Sequence, residues 1–143
     1  MPIRNRTASS ALALGLGLTA TFLSSGASAA AFDGTVNLIC SAIDVVGCVN
    51  GPGCMEGRAS TFELPQFLFV DFEKKLVRAT DESGHKEVSP IKNLEITEKQ
   101  VILQGVENHR GWSAAIDSQT GKMIVTSVGA DVSFMIFGAC TAL

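Results

Sequence analysis

Through most of this chain apolar and polar residues change places at every second position, the period of a strand with one face buried. Val36, Leu38, Cys40 and Ala42 alternate with Asn37, Ile39 and Ser41, which predicts a first strand. Phe62 and Leu64 begin a second element, interrupted at Pro65 because proline has no N–H to give to a ladder. Leu68, Val70 and Phe72 then alternate with Phe67, Phe69 and Asp71, and Glu73-Lys74-Lys75 turns the chain into residues 76–80. An exposed loop is expected over residues 81–90, around Ser83-Gly84-His85-Lys86. Residues 91–97 and 101–106 predict a hairpin across Glu98-Lys99-Gln100.

Trp112, Ala114 and Ile116 share one face of the next strand. In the turn Asp117-Ser118-Gln119-Thr120-Gly121 the Asp carboxylate can accept backbone N–H bonds and Gly121 can take a positive φ. Residues 123–128 run back from it. Gly129-Ala130-Asp131 then turns the chain into a last strand carrying Val132, Phe134, Ile136, Gly138 and Cys140. Eight or nine short strands joined by short links define an all-β protein, an antiparallel meander closed as a small barrel or folded over as a sandwich. A parallel arrangement would need crossover helices, and no stretch has the length and the 3.6-residue period to supply them.

The N-terminal segment follows a different pattern. Arg4 and Arg6 precede an uncharged apolar stretch, Ala11 to Leu23, and a run of small residues from Ser24 to Ala31, the three parts of a cleavable signal peptide. The apolar stretch is broken by Gly15, Gly17 and Thr19 and falls short of the roughly 20 residues a membrane span requires. Cleavage is expected after Ala30, give or take one residue, leaving residues 31–143 as a single domain that is periplasmic or secreted and not inserted in the membrane. Loss of Arg4 and Arg6 leaves nine basic side chains against fourteen acidic, a net charge of −5. An acidic domain without a Lys/Arg cluster argues against nucleic acid or anionic lipid as a partner.

Cys40, Cys48, Cys54 and Cys140 all follow the signal, and in an oxidising compartment they read as disulfides. Cys48 and Cys54 bracket Val-Asn-Gly-Pro-Gly, a turn that brings them together. Cys40 and Cys140 lie in the first and last strands, which are neighbours in a closed meander. The expected pairs are therefore Cys48–Cys54 and Cys40–Cys140. With neither CxxC nor HxxxH spacing, no metal or other cofactor is expected.

Candidate chemistry is sparse. His85 and His109 each sit beside a basic residue in a loop, where a catalytic trio of nucleophile, base and orienting carboxylate is not expected, and Ser83 and Ser113 lie in no GxSxG setting. Neither pattern suggests an enzyme. The richest cluster is Asn108-His109-Arg110-Gly111-Trp112, where His109 and Arg110 are surface candidates and Trp112 is in phase with the core positions Ala114 and Ile116. Phe67, Phe69 and Phe72 are expected to pack in the core or line a cavity.

Val36-Asn37-Leu38-Ile39-Cys40, the region from Leu64-Pro65 to Asp71-Phe72, Leu103 to Asn108 with Gly111-Trp112, and Phe137-Gly138-Ala139-Cys140-Thr141 resemble a group of small uncharacterised exported proteins of proteobacteria. Ser83-Gly84-His85-Lys86 is similar to the Ser-Gly start of the inhibitory loop in periplasmic lysozyme inhibitors, themselves small disulfide-linked β-barrels, although the aromatic residue that follows there has no counterpart here. The resulting expectation is a monomeric, non-enzymatic exported barrel that binds a protein or a small apolar ligand, with His109, Arg110, Trp112, Ser83 and Lys86 as candidate binding residues. The alternative that the second resemblance implies is an inhibitor of a wall-degrading enzyme such as lysozyme, acting through the loop 81–90.

Overall fold

The computed structural model describes residues 32–143, and the segment read as an export signal lies outside them. The strands are β1 Leu38–Val49, β2 Gly53–Gly57, β3 Phe67–Asp71, β4 Leu76–Ala79, β5 Val88–Ile96, β6 Gln100–Glu107, β7 Arg110–Asp117, β8 Lys122–Val128 and β9 Val132–Ala142. They pair antiparallel in the order β2-β1-β3-β4-β5-β6-β7-β8-β9, and β1 also pairs with β9. That last ladder closes β1 and β3–β9 into an eight-stranded barrel and leaves β2 as an extra strand beside β1.

Closure rests on the longest ladder, eleven residue pairs from Leu38↔Ala142 to Val49↔Val132. Cys40 stands directly opposite Cys140 within it, and the two form a disulfide. Cys48 faces Cys54 across β1 and β2 and forms the second. Alternation fixes which face is inside, because a one-residue slip would turn the whole apolar set outward. Leu38, Cys40, Val45, Val101, Leu103 and Ile116 are each under 2 % exposed and form the centre of the core.

Two bulges shift the register of the ladders and bend their strands locally. One inserts Ile43 between Ala42 and Asp44, so that the inward phase Leu38, Cys40, Ala42 resumes at Val45 and Gly47. At the same place β1 changes partner: residues 38–41 pair with β3, and residues 45–49 pair with β2. Gln66 bridges the change, its backbone carbonyl accepting from Ala42 N–H while its side-chain amide donates to the Ala42 carbonyl and to Ser41 Oγ. The second bulge, at Lys92, lies between Ile91 and Asn93 in β5.

Several expectations are corrected. Val36 is 38 % exposed and precedes the first strand, which runs on to Val49. Phe62 belongs to a 3-10 turn, Ala59–Phe62, and not to a strand; Glu63 closes that turn with φ 54, and Leu64 N–H donates to the Ala59 carbonyl. Both Phe62 and Leu64 pack on the core from this turn, which is why their apolar character read as strand. The loop predicted over 81–90 ends at Glu87, because Val88, Ser89 and Pro90 pair with Arg78, Val77 and Leu76. Of the three phenylalanines, Phe72 is buried, whereas Phe67 is 46 % exposed and Phe69 packs on the outer surface under Arg78, whose guanidinium lies 4.6 Å from its ring centroid.

Candidate ligand cavity at one end of the barrel

In an antiparallel barrel the turns alternate between the two ends. The β3–β4, β5–β6 and β7–β8 turns stand at one end, which is filled. Phe32 and Phe72 are buried there, and a Cβ on Gly121 would lie 2.6 Å from the Phe32 ring. Leu143 N–H donates to the Asn37 carbonyl at 3.0 Å and Cys140 N–H to the Gly121 carbonyl at 2.8 Å, fastening this floor.

The opposite end carries the β6–β7 turn, the β8–β9 turn, residues 80–87 and the approach of residues 63–66 to β3. A cavity of about 170 Å³ enters the barrel from this side. Its depth is apolar, walled by Cys40, Leu103, Ala114, Ile116, Met123 and Val125. Its mouth is polar, framed by Glu63, Arg78, Glu87, Glu107 and Arg110. The strand period produces both. Along β6 the inward phase is Val101, Leu103, Gly105, Glu107; along β7 it is Ile116, Ala114, Trp112, Arg110. Each series goes from apolar at the floor to charged at the mouth.

Trp112 lines the wall between those levels, and its indole N–H donates to Ser89 Oγ at 2.6 Å. Ser89 is only 4 % exposed, so the bond satisfies two groups with little access to water. Gly105, directly opposite Trp112, makes room for the indole: a Cβ there would collide with the ring and with the Pro90 carbonyl oxygen. Arg110 lies with its guanidinium 5.7 Å from the Phe134 ring centroid, and Phe134 also lines the cavity. The Glu107 carboxyl is pushed above the ordinary carboxylate value, first by burial and then by the neighbouring charge of Glu87, with Arg110 and the Ser89 hydroxyl acting the other way. Glu87 is held below its ordinary value, chiefly by a backbone N–H and further by His85, whose Nδ1 is 3.3 Å from its carboxylate.

The sequence candidates separate into two groups. Trp112 and Arg110 meet at the cavity. His109 is exposed at the β6–β7 hairpin tip with φ 62, next to Asn108 with φ 47. Ser83 shapes its own turn, its hydroxyl donating to the Thr80 carbonyl at 2.6 Å and accepting from His85 N–H at 3.1 Å; Lys86 is exposed beyond it. Glu107, Ser89, Glu87 and Phe134 were not singled out from the sequence. Parity carried the missing signal, since Glu107 continues the inward series of β6 and Ser89 sits two residues before the buried Ile91.

Among the described residues no group of three or more His, Cys, Asp or Glu side chains is arranged to hold a metal ion, and no helix is long and apolar enough to cross a membrane. Comparison with protein-family models, with curated proteins and with solved structures returned no match.

Proposed function

We propose that this protein is an exported binding module whose ligand enters the barrel at the polar mouth and lodges a small apolar body in the interior. The observation that carries the reading is the cavity of about 170 Å³, apolar in its depth and ringed by hydrogen-bonding and charged groups at its entrance. That arrangement is how small-molecule sites are generally built, with apolar walls for affinity and few polar groups for orientation. Two disulfides support an oxidising compartment, in keeping with the signal pattern of residues 1–30. Binding is preferred to catalysis because His109 stands at an exposed hairpin tip and the Ser83 hydroxyl near His85 donates to the Thr80 carbonyl and not to the imidazole.

Filling the cavity tests the proposal. Ala114 is 5 % exposed and points into it, so Ala114→Leu occupies the space a ligand would take. Toluene serves as an apolar probe in a heteronuclear NMR titration. The expected result is saturable shifts around Ala114, Met123 and Val125 in the parent and none in the variant, with both proteins folded. Identical toluene binding by the two would retire the interior as the site.

A further inference from the structure

We infer that the ligand is a small alkyl or arylalkyl amine, bound as its ammonium ion with the cationic head at Glu107 and the apolar body beneath. The inference rests on the binding reading above and names the ligand class for the same cavity. Size comes first. A cavity of 170 Å³ is close to the roughly 150 Å³ space that accepts benzene in an engineered protein interior, so the buried body is about one ring or a short alkyl chain.

Charge then selects the head group. Three carboxylates, Glu63, Glu87 and Glu107, line the mouth against two guanidiniums. Arg78 is engaged elsewhere, on the outer face over Phe69 and 3.5 Å from Asp81. Arg110, the cross-strand partner of Glu107, lies over Phe134 and offsets part of the Glu107 charge without forming an ion pair with it. Among the described residues no ion pair involves Glu107, the carboxylate that continues the inward phase of β6. A partly desolvated anion beside a second anion gains most from an added cation. The indole of Trp112, which lines the same cavity, reinforces this preference because aromatic faces attract ammonium groups, whereas the Phe134 ring already has the Arg110 guanidinium beside it. An anionic head would meet the same carboxylates as like charges.

Three probes of similar size separate the possibilities: benzylamine, protonated at neutral pH, toluene, uncharged, and benzoate, an anion. Titrated by calorimetry and NMR at neutral pH, benzylamine should bind at least about tenfold tighter than benzoate, as expected for a charge-assisted contact. Glu107→Gln should weaken benzylamine by about tenfold and leave toluene unchanged, whereas Glu107→Asp, which retains the charge, should keep most of the preference. Lowering the pH until Glu107 is protonated should reproduce the Gln effect in the parent. Toluene binding with no preference for benzylamine over benzoate, or a Glu107→Gln variant that holds benzylamine as tightly as the parent, would overturn the ammonium assignment and leave the cavity reading standing. If none of the three probes binds, both readings fall.

Discussion

Trp112 and Ser89 depend on each other unequally. The Ser89 hydroxyl can rotate toward Glu107, but the indole N–H is fixed in the plane of a ring that Gly105 holds against the wall. Ser89→Ala should therefore cost about 1–3 kcal/mol in urea denaturation, the range for stranding a donor with poor access to water. Trp112 is the single tryptophan, so its emission reports the same event directly. A variant as stable as the parent, with unchanged emission, would show that the bond is dispensable. Glu107 has the opposite character. Its folded-state carboxyl titrates above the ordinary value of 4.5, so the folded protein binds its proton more tightly than the unfolded chain does. Stability from this group is present below the ordinary value and is lost as pH rises through the raised one. Glu107→Gln should accordingly melt higher than the parent at neutral pH, with the difference vanishing in acid. A constant difference across that range would argue against the burial of this carboxylate. Arg110 and Trp112 were legible in the sequence as a polar and aromatic cluster. Glu107 was not, because a carboxylate near a hairpin tip reads as solvated until the inward phase of its strand is followed to the end.

At the level of strands, β1 has the most to hold together. It pairs with β9 along its whole length and divides its other edge between β3 and β2. The Cys40–Cys140 bridge spans a sequence separation of 100, and chain-entropy arithmetic assigns such a loop about 4.7 kcal/mol, against about 2.4 kcal/mol for the short Cys48–Cys54 loop. Denaturation of Cys40→Ala/Cys140→Ala should show roughly twice the loss of Cys48→Ala/Cys54→Ala. Equal losses would mean that strain or unfolded-state structure outweighs loop closure. Most strands were legible because one wet face leaves an alternating trace, as in Trp112, Ala114 and Ile116. Gly53-Cys54-Met55-Glu56-Gly57 left no such trace: β2 packs no apolar face inward, and its pairing with β1 comes from the turn and the disulfide. Phe62 and Leu64 misled for the converse reason, since core contacts can be made from a tight turn as well as from a strand.

For the molecule as a whole, the two ends of the barrel divide the work. One is a floor, with Phe32 and Phe72 packed inside the closed sheet; the other is an entrance whose charged groups stand on strand ends and short turns. The charged groups of the mouth thus stand on a sheet that ladders and two disulfides tie together. The floor has a separate consequence. Leu38 pairs with Ala142, and Leu143 N–H bonds to Asn37, so the first and last described segments lie side by side. A short linker between them would make the domain a continuous ring, which could be cut open at the exposed Glu98-Lys99 tip. Such a rearranged chain should retain toluene binding and the Cys40–Cys140 bridge, its starting point having moved while its neighbours in space have not.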